Sequence, residues 1–238
     1  MTEAVLVIDD EQPTLDMFAL FLEAFGYTPL TALTGEEGLR LFDAHQPPLV
    51  MTDIKMPGMD GIEVLRAIKK RSPATEVIVI TGHGDMELAL RALECDAADF
   101  INKPLGREAL ETSLERCKER RACSREQEQN IEVQSLESAV VVTAHGHVTS
   151  ESEPFLRQAL ERAAAKARGA MVLHFPASVS VNGGGLAALE SLLREYPQLR
   201  VVCLSENFQE VFRRLGLHEL APLYGSLEEA VGIDIEEN

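Results

Sequence analysis

Along the first half of the chain, short apolar runs alternate with segments of helical period. Ala4 to Ile8 reads as a buried strand, and Leu15, Phe18, Leu22 and Phe25 mark one face of a helix that ends near Gly26. A strand at Tyr27 to Ala32 and a helix after Gly35 follow. Leu49-Val50-Met51-Thr52, a Pro/Gly-rich loop, a helix from Gly61 to Arg71 and the run Val77 to Ile80 keep the same beat. A helix at about 85 to 94, a strand at Ala98 to Ile101 and a helix opening near Arg107 complete five strand–helix units. Nearly continuous apolar strands separated by helices predict a parallel sheet covered on both faces.

From Glu108 to Gln129 the apolar seam thins to Leu110, Leu114 and Cys117, then disappears, as in a last helix running into a polar linker. The second half opens with Ile131 to Gln134 and Ala139 to Ala144, read as paired strands. A helix over 153–167, a strand Ala170 to Phe175, a helix from Gly183 to Tyr196, a strand Arg200 to Leu204, a helix over 206–215 and a short amphipathic helix Leu227 to Val231 complete it. The order differs from that of the first half, and no internal repeat relates the two. We therefore expect an α/β chain: a doubly wound parallel domain at 1–122, a linker at 123–130 and a smaller, different α/β domain at 131–238.

The chain has 238 residues, a length that suits two such domains. The formal charge of −17 divides as −9 over 1–122 and −8 over 123–238, with no basic cluster beyond Lys69-Lys70-Arg71. A nucleic-acid binder gathers lysine and arginine on one face, so direct DNA binding is not expected. Cys95, Cys117, Cys123 and Cys203 form no CxxC pair, and His145, His147 and His174 do not have the spacing of a closed zinc site. Reduced thiols, a cytoplasmic location and no membrane span are the expectations, since neither a leader pattern nor a long apolar run is found.

The polar residues at the strand ends carry the chemistry. Asp9-Asp10 follows the first strand, Asp53 ends the third, Thr81 ends the fourth, and Lys103-Pro104 follows the fifth. All fall at the carboxyl edge of the predicted sheet, where open α/β folds bind ligands. A single aspartate there is as readily an N-cap; the convergence from four strands is not explained that way. Three clustered carboxylates call for a hard cation such as Mg²⁺. With charge neutralised, Asp53 suits nucleophilic attack on a phosphoryl group, with Lys103 and the Thr81 hydroxyl holding the transferred oxygens.

Val5-Leu6-Val7-Ile8-Asp9-Asp10-Glu11, the run Asp53-Ile54-Lys55-Met56-Pro57-Gly58-Met59-Asp60-Gly61, Ile80-Thr81-Gly82-His83-Gly84 and Lys103-Pro104 together resemble the receiver domain of two-component response regulators. The resemblance covers about residues 3–122 and implies a flavodoxin-like fold with Asp53 as phosphoacceptor. It also implies Mg²⁺ held by Asp9, Asp10, Asp53 and the Lys55 carbonyl, and phosphoryl contacts from Thr81, Lys103 and the Gly82 N–H. It suggests a cis Lys103–Pro104 bond and places Phe100 at an aromatic switch position that responds to Thr81, although Phe100 reads equally as a core aromatic. Lys55 and His83, two residues past the acceptor and the threonine, read either as tuners of phosphoryl lifetime or as exposed loop residues.

In the second half, a strand and loop lead into Asn182-Gly183-Gly184-Gly185, with Asn182 as the N-cap of the next helix. This segment, with Ala144-His145-Gly146-His147-Val148-Thr149 upstream and Phe212-Arg213-Arg214-Leu215-Gly216-Leu217 and Leu227-Glu228-Glu229-Ala230 downstream, resembles the STAS domain of anti-sigma factor antagonists over about 131–235. That family carries a phosphorylatable serine where this chain has Gly183, and an Asp at the strand end where it has His174. Ser178 and Ser180 offer hydroxyls nearby, Ser180 on a buried approach to the turn. The resemblance implies protein partners, an anti-sigma factor or a related switch protein, bound at Asn182, Gly183 and Gly184, and a sensor histidine kinase acting on Asp53. The chain is then a phosphoacceptor signalling protein rather than an enzyme. Two other readings stay open: a phosphoryl sink for a kinase, and a second domain that binds a small molecule or nucleotide.

Overall fold

The computed structural model describes residues 2–82, 85–123, 131–136, 138–167, 169–176, 179–202 and 205–231. His83, Gly84, the linker residues 124–130, Ser178, Cys203 and Leu204, which figure in the readings above, lie outside the described residues. The chain divides into two compact units, Met1–Cys117 and Lys118–Asn238. The division falls inside a helix, five residues before the boundary expected at 122.

The first unit runs β1 (Ala4–Ile8), α1 (Gln12–Ala24), β2 (Thr28–Ala32), α2 (Gly35–His45), β3 (Leu49–Asp53), α3 (Gly61–Arg71), β4 (Glu76–Thr81), α4 (Met86–Glu94), β5 (Asp99–Asn102) and α5 (Arg107–Cys123). All pairings are parallel and the strand order is β2-β1-β3-β4-β5, the flavodoxin-like doubly wound arrangement. Val5 and Val7 pack with Leu15, Phe18 and Leu22 of α1 and with Leu110, Leu114 and Cys117 of α5. Ile8 instead meets Gly38 of α2, where a Cβ would collide with the isoleucine side chain. Burial on both faces is why β1, β3 and β4 are built on continuous apolar runs, Ala4–Ile8, Leu49 to Met51 and Val77 to Ile80. At one edge of the sheet, β2 carries Pro29 opposite Val5, while Thr28 donates its N–H to the Glu3 carbonyl at 2.8 Å.

The second unit adds β6 (Ile131–Ser135), β7 (Ala139–Ala144), β8 (His147–Val148), α6 (Glu153–Lys166), β9 (Ala170–His174), β10 (Ser180–Val181), α7 (Gly183–Glu195), β11 (Leu199–Val202), α8 (Glu206–Arg214), β12 (Leu223–Tyr224) and α9 (Leu227–Val231). Its main sheet has the order β12-β11-β9-β7-β6, parallel except for the antiparallel β6. Ala139, Val141, Val172 and Val202 pack beneath α9 through Ala230 and Val231, and α6 lies against β6 and β7. A separate two-stranded sheet pairs β8 with β10 and was not foreseen, because two residues are too few to show a period.

Candidate functional site

The carboxyl edge of the first sheet gathers the site. Asp53 is the last residue of β3 and is 5% exposed; Asp9, just past β1, is 0% exposed. Lys103 Nζ lies 3.2 Å from Asp9 Oδ2 and 3.2 Å from Asp53 Oδ2, so one ammonium serves two carboxylates. The backbone holds these groups in place. Asp9 Oδ1 accepts the Glu11 N–H at 2.9 Å, the Ile54 N–H donates to Ile80 O at 2.9 Å, and the Lys103 N–H donates to Thr81 O at 2.7 Å. The Lys103–Pro104 bond is cis.

The loop after Asp53 returns to the sheet at Gly61. There a Cβ would run into the Asp53 carbonyl oxygen, and the Gly61 N–H donates to Ile54 O at 3.0 Å. A reciprocal capping box fixes this helix start: Asp60 accepts the Glu63 N–H at 2.8 Å, and Glu63 accepts the Asp60 N–H at 3.0 Å. Glycine at 61 is what lets α3 begin directly against the Asp53 backbone.

Burial raises the Asp53 pKa above the usual carboxylate range, and the attraction of Lys103 only partly offsets it. Burial works against the Lys103 ammonium too, but Asp53 and Asp9 together outweigh it and its pKa is raised. The asymmetry follows from the geometry, since the lysine has two carboxylates while each carboxylate has a share of one lysine.

Asp9, Asp10 and Asp53 each offer a carboxylate oxygen, all within 4.8 Å of one another, and they are the one such group among the described residues. An all-oxygen donor set with one exposed member suits a hard divalent cation that keeps part of its water shell. Thr81 ends β4, one residue past Ile80, the partner of Asp53 across the sheet; its Oγ1 is buried and makes no hydrogen bond among the described residues. Phe100 is wholly buried, so any turn of its ring is a repacking inside the core. The Lys55 side chain is engaged by Asp85 at 2.8 Å.

Sequence reading missed a buried carboxylate at the other end of β5, away from this site. Asp99 of β5 accepts from Ser113 and from Arg116 of α5, both at 2.8 Å, and from the Phe100 N–H at 2.9 Å. The only signal available was an acidic residue inside a strand reading.

In the second unit, Asn182 caps α7 by accepting the Gly185 N–H at 2.9 Å. Gly183 is half-buried and Gly184 exposed, and a Cβ on Gly184 would stand 3.2 Å from Ser150. The histidines are separately engaged: His147 Nδ1 lies 2.8 Å from the buried Ser180 Oγ, His174 Nδ1 lies 3.3 Å from Thr143 Oγ1, and His145 stands 3.9 Å from Glu132.

Residues 5–115 match the response regulator receiver domain family and residues 130–230 the STAS domain family. The C4-dicarboxylate transport transcriptional regulatory protein DctD of Rhizobium meliloti is 36% identical over 118 residues, 50% of this chain and 26% of that protein. The nitrogen assimilation regulatory protein NtrX of Azorhizobium caulinodans is 36% identical over 121 residues, 50% of this chain and 27% of that protein. The chain thus spans about a quarter of the length of these relatives. Of solved structures, a response regulator receiver domain protein from Clostridium thermocellum shares 37% identity over 50% of this chain and 97% of its own, at a TM-score of 0.49.

Proposed function

Because this chain is a response regulator receiver domain followed by a STAS domain, we propose that Asp53 accepts a phosphoryl group from a sensor histidine kinase and that its phosphorylation sets how tightly the second unit binds a protein partner. The carrying observation is the Asp53 carboxylate at a strand end, flanked by Asp9, Asp10 and Lys103 and neighboured by a buried threonine hydroxyl that makes no hydrogen bond among the described residues.

In the transfer, an Asp53 oxygen bonds to phosphorus as the bond to the phosphohistidine nitrogen, or to the oxygen of a small acyl phosphate, breaks. The leaving group keeps the electron pair. Lys103 shifts from the free carboxylates to the phosphoryl oxygens, and Thr81 Oγ1 donates to one of them, gaining a partner. Mg²⁺ held by Asp9, Asp10 and Asp53 would neutralise charge on the transferred oxygens. Treating the full chain with labelled acetyl phosphate tests this: we expect labelling that requires Mg²⁺ and is lost in Asp53→Asn. Labelling that persists in that variant, or in excess chelator, overturns the assignment.

The output proposal is that the turn and helix start at Asn182, Gly183 and Gly184 contact the partner, an anti-sigma factor or a related switch protein. A phosphoserine would add about −1.5 to −2 charges to such a face, and Gly183 has no hydroxyl to carry one. Control therefore falls to Asp53. Partner titrated against phosphorylated and unphosphorylated chain should show different affinities, and Gly183→Asp should weaken binding. Equal affinities would favour a phosphoryl sink instead.

A further inference from the structure

The main sheet of the second unit ends on β6, which pairs with β7 on one side and, among the described residues, with no strand on the other. Which of its backbone groups face that open side follows from the hydrogen bonds. The Leu136 N–H donates to Ala139 O at 2.8 Å, and these two residues continue the β6–β7 register by one step. Directly opposed residues of an antiparallel pair alternate between those that exchange N–H···O bonds and those that do not, so Gln134 and Glu132 turn inward to Val141 and Thr143. The other flank of β7 agrees: the Ala170 N–H donates to Ser138 O at 3.1 Å, so Ser138, Val140 and Val142 face β9 and Ala139, Val141 and Thr143 are left for β6. Ile131, Val133 and Ser135 therefore point their N–H and C=O groups at the open edge. Ile131 also lines a cleft with Phe155 and Leu156 of α6, and Val133, two residues on, shares that face. Both are half-buried, so α6 leaves part of their apolar surface uncovered. Outer strands are commonly guarded by proline, lysine or an inward-pointing charge. β6 has none of these, and its one charged residue, Glu132, lies on the face away from α6 with its side chain 73% exposed.

We propose that a second copy of this chain builds on this edge, β6 against β6, antiparallel about a two-fold axis at Val133. That register uses every outward residue of the strand: Val133 pairs with its own counterpart and Ile131 pairs with Ser135 in both directions, each pair exchanging N–H···O bonds. It also sets Glu132 opposite Gln134, whose side-chain amide can donate to the carboxylate. Sliding the register either way loses a bonded pair within β6, and one of the two slides brings Glu132 against its own counterpart, where like charges repel. The edge is thus complementary to itself in hydrogen bonds and in charge. A two-fold contact closes at two copies and joins two five-stranded sheets into one. It lies wholly within the second unit, and its shortness makes it a reversible pairing rather than an obligate one.

Sedimentation equilibrium of the full chain across micromolar concentrations, with no phosphoryl donor present, tests this in wild type, Gln134→Glu, Gln134→Lys and Val133→Pro. We expect the wild type to pass from monomer to dimer as concentration rises. Gln134→Glu sets carboxylates opposite each other twice per dimer and should raise Kd about two- to thirtyfold, whereas Gln134→Lys sets opposite charges there and should lower it by a similar factor. Gln134 is exposed, so neither change should move the urea midpoint of the dilute chain. Val133→Pro removes an N–H that does not serve β7 and should leave a folded monomer; if that variant does not fold, the two Gln134 variants decide. A chain that stays monomeric at every concentration, its edge then left to some other strand, overturns the proposal. So does growth beyond a dimer, or a dimer whose Kd ignores both Gln134 variants.

Discussion

Lys103 is one cation between two carboxylates that are almost fully withdrawn from water. Removing it leaves Asp9 and Asp53 facing each other uncompensated, and breaking a pair of this kind is costly even where forming it gains little. Lys103→Ala should lower stability by about 1–3 kcal/mol, less than a fully buried pair because the lysine is part-exposed, and added Mg²⁺ should restore much of it. Urea midpoints with and without the ion check this. His174 makes a second residue-scale case. Burial, then the neighbouring His145, lowers its pKa below the ordinary value. The unfolded chain therefore takes up this proton more readily, so the stability contribution is complete above about pH 6.5 and is lost as pH falls through the lowered folded value. The urea midpoint should drop between about pH 7.5 and 5.5 in wild type and drop less in His174→Gln.

Elements were legible where their periods were long. The ten elements of the first unit follow from apolar runs and helical spacing, and the strand ends brought Asp9, Asp53, Thr81 and Lys103 to one edge because a parallel sheet sends every carboxyl end the same way. What escaped depends on pairing across distance. Asp99 and Arg116 are seventeen residues apart and meet only once α5 packs on β5, while Lys55 and Asp85 meet only once two loops are placed side by side. The strands β8 and β10 are stabilised by each other and leave no pattern of their own. At this scale the start of α3 is the sharpest test. A methyl on Gly61 would drive into the Asp53 carbonyl, so Gly61→Ala should cost about 1–3 kcal/mol of overpacking and also slow acetyl phosphate labelling, because helix and acceptor share that contact. A urea midpoint that moves while labelling stays unchanged would show that α3 shifts without dragging Asp53.

For the whole molecule, the two units are built from different sheets with separate cores, and each carries one of the two matched families. An open sheet has a cost that a barrel avoids, since its outer strand presents backbone groups on which a second chain can build. Pro29 answers this on β2. Because Thr28 turns its N–H inward to Glu3, the next backbone nitrogen along the strand faces outward, and there proline has no hydrogen to offer. The edge thus lacks a rung that another copy would need in order to zip on. Pro29→Val should leave the chain folded yet scatter light increasingly as its concentration rises, where the wild type stays clear. On the proposed reading of Asp53 as phosphoacceptor, a signal carried by one aspartate must not drift with the abundance of the chain, and one missing amide hydrogen helps keep it independent of how many copies are made.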